Sequence, residues 1–253
     1  MCELFAMSAL LPTRVRFSFE IFARRGGDTA DHRDGWGVAL YDGADCYLMR
    51  EPEPAAASPM ALCFATHHVR SRLVLSHIRK ATGEIPVALA NTHPFTREVA
   101  GRRICFAHNG QFDGIRDDPA FPLGLDRPVG ETDSEHAFCH LLREIRAAGG
   151  LDPARLKPHF DRLRGRGIAN LLLADGERLL AYADNRMHLL LRHCPAAEEG
   201  AVRDLGGVTF GGFHGEQYVA LIASVPLTED EAWERLEPGT LVVLSKGRVV
   251  ARE

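Results

Sequence analysis

No stretch of the chain stays apolar for the ~20 residues needed to span a bilayer. The N-terminal segment MCELFAMSALLPTRVRF has no basic run ahead of its apolar residues, and Glu3 interrupts them, so it does not read as a secretory signal. None of the six cysteines (Cys2, Cys46, Cys63, Cys105, Cys139, Cys194) sits in a C-x-x-C pair or at a regular spacing. That argues against a disulfide framework and for free thiols in a reducing compartment. An excess of positive charge is missing as well: a net charge of -4 gives no electrostatic reason to bind nucleic acid. Proline- or serine-rich linkers, repeats and low-complexity tracts are absent too. What remains is the expectation of a cytoplasmic protein with no nucleic-acid or membrane partner. Its 253 residues suffice to bury a full core, and residues 2–253 read as one domain.

The order of elements can be read from periodicity and punctuation. An apolar strand is expected over 3–8, bounded by Pro12. Thr13 is placed to cap a helix carrying Val15, Phe19 and Phe22 at helical spacing and stopping at Arg25-Gly26-Gly27. Residues 36–41 and 46–50 read as a hairpin across Asp42-Gly43. Ser58-Pro59 gives an N-cap with proline at the first helical position, opening a helix toward Val69. Strands are expected at 73–79 and 104–107, the second ending in His108-Asn109-Gly110. Helices follow at 134–147, started by Thr132 or Asp133, and from Asp152-Pro153 toward Leu163. The pattern then turns to β, with strands at 168–174, 179–183, 187–191, 218–224, 241–244 and 249–251. Hairpins of this kind imply antiparallel sheets with the helices set apart from them, an α+β fold.

Met1-Cys2 is where chemistry enters. Removal of Met1, which a small second residue permits, leaves a thiol and an α-amine on one residue. An α-amine titrates near pH ~8, low enough to accept a proton near neutrality and activate the sulfur beside it. Four polar clusters adjoin the expected strands: Ser76–Thr82 (SHIRKAT), Asn91–Phe95 (NTHPF), His108–Gly110 (HNG) and Glu131–Glu135 (ETDSE). Each has a plain reading: Arg79 as a surface cation, Asn109-Gly110 as a turn, Thr132 or Asp133 as a helix cap, His93 as a loop histidine. Together with Cys2 they make the set that acyl transfer from a glutamyl amide requires. Cys2 supplies nucleophile and base. Asn109 and Gly110 supply donors for an oxyanion. Arg79 and Asp133 supply a fork for an α-carboxylate and a carboxylate for an α-ammonium.

An N-terminal cysteine followed in order by SHIRKAT, NTHPF, AHNG and ETDSE resembles the class II glutamine amidotransferase domain of the N-terminal-nucleophile hydrolases. The segments MCELFAMSA, DGWGVALY and IASVPLTEDEAW are most similar to stand-alone members, including relatives that hydrolyse a γ-glutamyl amide in ergothioneine biosynthesis. The resemblance implies a four-layer αββα sandwich of two antiparallel sheets. It implies catalysis by Cys2 with Asn109 and Gly110 as the oxyanion hole. Substrate binding falls to Arg79, Thr82 and Asp133, with His93 of the N-x-H-P motif in a supporting place. Family members that feed ammonia to a synthase carry Trp after the Arg and His after the Thr, where this chain has Lys80 and Gly83, so a different or larger γ-glutamyl compound is implied. No synthase segment is expected after the last hairpin.

The expected activity is hydrolysis of glutamine, or of a small γ-glutamyl amide, through a thioester on Cys2, with no metal or organic cofactor. Two alternatives keep the same pocket: a non-catalytic glutamine-binding subunit, and a glutaminase passing ammonia to a separate synthase. A third, metal-dependent hydrolysis, rests on His136 and His140 at i and i+4, but Ala137 stands where the H-E-x-x-H pattern has glutamate. Three loops, 26–34, 113–127 and 206–215 with its Phe210, Phe213 and His214, are candidates for lining the pocket beyond the glutamyl group.

Overall fold

Side chains of successive strand residues point to opposite faces, so the cluster each residue joins reveals the layers. Along the first strand, β1 (Glu3–Thr13), Phe5, Met7 and Ala9 fall into one apolar cluster while Leu4 and Ala6 fall into another. The computed structural model describes residues 2–13, 16–66, 70–83, 85–195, 203–205, 208–210 and 216–253. Within these residues the further strands are β2 (Trp36–Asp42), β3 (Asp45–Glu51), β4 (Ser71–Ile78), β5 (Phe95–Val99), β6 (Arg102–Phe112), β7 (Gly167–Ala174) and β8 (Leu179–Tyr182). They continue with β9 (His188–Cys194), β10 (Arg203–Leu205), β11 (Val208–Phe210), β12 (Gln217–Ala223), β13 (Glu234–Arg235), β14 (Leu241–Ser245) and β15 (Arg248–Arg252). The helices are α1 (Arg16–Arg24), α2 (Pro59–Thr66), α3 (Asp133–Ala148) and α4 (Pro153–Arg164).

One sheet has the order β13-β9-β12-β1-β4-β2-β3, the other β15-β14-β8-β7-β6-β5, and β10 and β11 form a small separate ribbon. Every paired strand is antiparallel. Leu4, Ala6, Cys105, Ala107, Leu172 and Ala174 fill the space between the two sheets. The opposite faces are covered by helices: Phe22, Ala61 and Phe64 of α1 and α2 pack with Phe5 and Val38, and Phe138, Leu141 and Phe160 of α3 and α4 pack with Phe106 and Leu171. The expected α+β class and αββα layering are both present.

The β1 strand lies inside its sheet, bonded to β12 on one side and to β4 on the other. Leu4, Phe5 and Met7 have no exposed surface, and such side chains stabilise by about 1.5–3 kcal/mol each on burial. A chain end that would ordinarily fray is thereby fixed.

Several boundaries differ from the sequence reading. The β1 strand runs past Pro12 to Thr13, which pairs with Ser71. Its register against β4 shifts between Ser8 and Thr13, the irregularity a strand proline needs. Thr13 therefore closes β1 instead of capping α1, while Val15 and Val69 lie outside the described residues. The β5 strand had no clear signal. The β6 strand does not stop before His108-Asn109-Gly110 but carries these residues within it, because β7 pairs with it as far as Phe112 opposite Gly167. Asn109-Gly110 is thus extended strand and not a turn. At α3, Thr132 is the cap, its hydroxyl accepting from the Glu135 N–H at 3.1 Å, which leaves Asp133 as the first helical residue.

Candidate active site

Strand register builds the site. Glu3 pairs with Ile78, so Cys2 stands across from Arg79 where β1 and β4 both end. The β6 strand in the facing sheet brings His108, Asn109 and Gly110 to the same end. The start of α3 adds Asp133. Cys2, Arg79, Thr82, His93, Gly110 and Asp133 line a single cavity of about 140 Å³. Asn109 is fully buried beside it and donates from Nδ2 to the Cys2 carbonyl at 2.5 Å. The seven residues singled out from the sequence are therefore brought together.

The Cys2 sulfur is held by the backbone of Lys80, whose N–H donates to Sγ at 3.3 Å and whose carbonyl accepts from it at 3.4 Å. Removal from water pushes the Cys2 thiol above its ordinary value, an effect that outweighs the Lys80 N–H and the charge of Arg79. The sulfur is thus protonated at rest. Arg79 is buried, and among the described residues it forms no ion pair with a carboxylate; its one side-chain bond is from Nη1 to the Asp34 carbonyl at 3.3 Å. Burial lowers its pKa from the usual arginine value. Such a guanidinium retains most of its five donors for an anion. Asp133 accepts from the Phe112 N–H at 2.5 Å and the Ser134 N–H at 2.8 Å, which orients its carboxylate at the cavity wall. The Asn109 amide uses one of its two N–H groups on Cys2, and its Oδ1 has no partner.

Gly110 is required by space. A Cβ there would lie 1.8 Å from the Ile168 carbonyl oxygen and 2.6 Å from His108 Nε2. The His108 ring is locked between the Ser134 hydroxyl (2.9 Å) and the Ile168 carbonyl (2.9 Å). His93 at the cavity wall lies against His77 behind it, ring centroids 4.2 Å apart, and both ring nitrogens of His93 are without a hydrogen-bond partner.

Burial pushes all three histidines down, His77 to about 3. They are neutral in the folded protein at physiological pH. The unfolded chain takes up a proton near pH 6.5 that folded His77 refuses until about 3. Stability from this source is complete above about pH 6.5 and falls as pH drops, by about 1.4 kcal/mol per pH unit for each such histidine. Urea titrations at pH 6.5 and 4.5 should therefore differ by at least 2–3 kcal/mol in unfolding free energy, roughly the His77 contribution alone. Equal stability at the two values would contradict the neutral histidine cluster.

Residues that the sequence reading missed support this arrangement. Asp34 accepts from the Ala81 N–H at 2.7 Å, and its own N–H donates to the Arg79 carbonyl at 3.2 Å. Asn170 donates to the Asn109 carbonyl at 3.1 Å. Asp34 opens the DGWGVALY segment, which assigns it no role, and Asn170 lies in none of the motifs. Of the three candidate loops, 113–127 contributes Asp113, Gly114, Ile115, Arg116 and Asp117 to a second cavity of about 350 Å³, which shares Thr82, Ile85, Gln111 and Asp133 with the first. Loop 26–34 lines neither cavity and instead braces residues 79–81 from behind. Of loop 206–215 only the backbone of 208–210 is described, and Phe213 and His214 lie outside the described residues.

His136 and His140 turn to backbone carbonyls of loop 113–127, at Phe121 (3.0 Å) and Pro122 (3.0 Å). Arg146 adds a two-bond clamp on Asp126 at 2.8 and 2.9 Å. These histidines hold the 121–122 part of that loop, beyond the residues 113–117 that line the second cavity. Among the described residues no group of three or more His, Cys, Asp or Glu side chains is arranged to hold a metal ion. No described helix is long and apolar enough to cross a membrane.

Known proteins resemble the chain over its whole length. The sequence profile described as "Glutamine amidotransferases class-II" matches residues 1–253. The "Putative glutamine amidotransferase YafJ" of Escherichia coli is 40% identical over 252 residues, covering 94% of this chain and 95% of that protein. The γ-glutamyl-hercynylcysteine sulfoxide hydrolase of Mycobacterium tuberculosis is 32% identical over 152 residues, 58% of each. Among solved structures, the "predicted glutamine amidotransferase" of Pseudomonas aeruginosa has a TM-score of 0.71 at 33% identity, covering 99% of this chain and 100% of that one. The phosphoribosylpyrophosphate amidotransferase of B. subtilis has a TM-score of 0.65 at 16% identity, covering 100% of this chain and 49% of that one, a likeness of fold alone. With the family profile spanning its whole length and a 40% identical relative matched nearly end to end, the chain belongs to the class II glutamine amidotransferases.

Proposed function

We propose that the protein is a thiol amidohydrolase that cleaves the side-chain amide of glutamine, or of a small γ-glutamyl amide, through a γ-glutamyl thioester on Cys2. The observation that carries this reading is the convergence of Cys2, Arg79, Thr82, His93, Gly110 and Asp133 on one cavity. With Met1 removed, the Cys2 α-amine takes the proton from Sγ and the sulfur attacks the γ-carbonyl carbon. The second N–H of Asn109 and the backbone N–H of Gly110 receive the oxyanion. The protonated α-amine then gives its proton to the departing nitrogen, and water completes hydrolysis of the thioester. Arg79 takes the α-carboxylate and Asp133 the α-ammonium, with Thr82 and His93 completing the cavity wall.

The thiol pushed up by burial supports a base carried on the same residue, and the neutral histidines leave that task to the α-amine. The larger adjoining cavity offers room beyond a glutamyl group. A similar relative whose name gives it a γ-glutamyl conjugate as substrate supports a substrate other than free glutamine.

Incubating Met1-free protein with 6-diazo-5-oxonorleucine should give one adduct, located on Cys2 by mass spectrometry. Glutamine and a panel of γ-glutamyl amides should each release glutamate. Calorimetric binding of glutamine with neither adduct nor product would sink this reading in favour of a binding subunit.

A further inference from the structure

Glu3 is a carboxylate with 1% of its surface exposed, one residue after the nucleophile, at a place where an apolar residue would satisfy the core. Alternation along β1 points it away from Cys2, toward the α1 layer. Two arginines and a histidine, drawn from two separate segments, surround it. Arg25 forks onto both oxygens at 2.5 and 2.8 Å. His32 Nε2 lies at 3.9 Å and Arg186 Nη2 at 3.8 Å. Burying a carboxylate is costly unless it is paired, so this arrangement holds segments together at the expense of a simpler core.

Both segments lead back to the active site by different routes. Arg25 immediately precedes loop 26–34 and His32 lies within it, and Asp34 of that loop bonds to Arg79 and Ala81. Lys80 is tied to the same loop through Asp31 at 3.2 Å. On the other side, the Arg186 N–H donates to Asn170 Oδ1 at 3.1 Å, Asn170 Nδ2 donates to the Asn109 carbonyl at 3.1 Å, and Asn109 Nδ2 donates to the Cys2 carbonyl. The Glu3 carboxylate is the junction of a path to the substrate arginine and a path to the oxyanion residue.

We propose that Glu3 is a positioning residue that fixes Cys2 relative to Arg79 and Asn109, acting through Arg25, His32 and Arg186. This rests on the thioester reading above. A 1 Å displacement of a reacting group is enough to cost on the order of a hundredfold in rate, and a chain end is prone to such displacement.

The test compares two reagents on Met1-free wild type, E3Q and R25Q. The diazo-ketone analogue of glutamine must be aligned by the glutamyl pocket before it reacts, whereas iodoacetamide needs only an accessible sulfur. In both variants the rate of Cys2 labelling by the glutamine analogue should fall at least about tenfold, with iodoacetamide labelling changed by less than about threefold. R25Q carries the test should E3Q fail to fold, since Arg25 is partly exposed and His32 and Arg186 still face the carboxylate. Labelling by the analogue within about threefold of wild type, with only the melting temperature lowered, would make Glu3 a purely structural residue and overturn the proposal. Absence of labelling in the wild type would overturn the underlying thioester reading instead.

Discussion

Cys2→Ala should lower turnover of glutamine or of the preferred γ-glutamyl amide by at least about 10⁴-fold, since removing the proposed nucleophile eliminates the proposed covalent route and leaves only binding and oxyanion stabilisation. Folding should be little affected. The side chain is only part-buried, and its contacts are two weak sulfur bonds to the Lys80 backbone. The melting temperature should stay within a few degrees, because ~1 kcal/mol shifts a chain of this size by roughly 2–4 °C. Protein in which Met1 is retained should be as inactive as the alanine variant, because its Cys2 nitrogen is then a peptide nitrogen that cannot act as a base. Steady-state kinetics with mass determination of the N-terminus checks both statements. Residual turnover within a factor of about 100 of wild type in Cys2→Ala would remove the nucleophile from the mechanism.

Gly110→Ala is the second large effect, and it acts on fold and chemistry together. The added methyl would be driven into the Ile168 carbonyl at 1.8 Å and toward His108 Nε2 at 2.6 Å, where β6 and β7 are paired. Neither neighbour can yield cheaply. The carbonyl belongs to the sheet and accepts from His108, whose ring is held on its other side by Ser134. Overpacking and a backbone shift of this kind cost about 3 kcal/mol, a fall of roughly 6–12 °C in melting temperature. The surviving folded protein should lose at least about 10² in kcat, because moving Gly110 misplaces the donor proposed for the oxyanion. Thermal melts with kinetics normalised to the folded fraction separate the two. A variant with wild-type stability would show that the β6–β7 contact is looser than described.

Much of this protein is legible without coordinates. The alternating and helical periodicities give helices in the right places and most strands, since a sheet covered on one face by helices and on the other by a second sheet imposes a regular burial pattern. A cap at Thr132 or Asp133, a cap at Asp152 and a glycine stop after α3 follow from local backbone chemistry; the structure makes Thr132 the cap and Gly149 the left-handed terminator. The polar ends of the strands, read with Cys2, already name the set that meets in the cavity. Short-range signals fail where a partner strand decides. Whether β6 stops before Asn109 or runs through it is set by β7, about sixty residues later. Thr13 becomes a strand residue because Ser71 is opposite.

The sequence by itself determined which side chains are present to do the chemistry, and their order along the chain. Local conformation and reactivity are properties of a residue and its near neighbours. Only the tertiary structure decided that Cys2 faces Arg79 through the Glu3–Ile78 register, that Gly110 is demanded by a carbonyl across the sheet, and that His136 and His140 clamp a loop. It alone decided that the carboxylate of Glu3 gathers Arg25, His32 and Arg186. Each of these depends on distances between segments far apart in the chain, which packing fixes and composition leaves open.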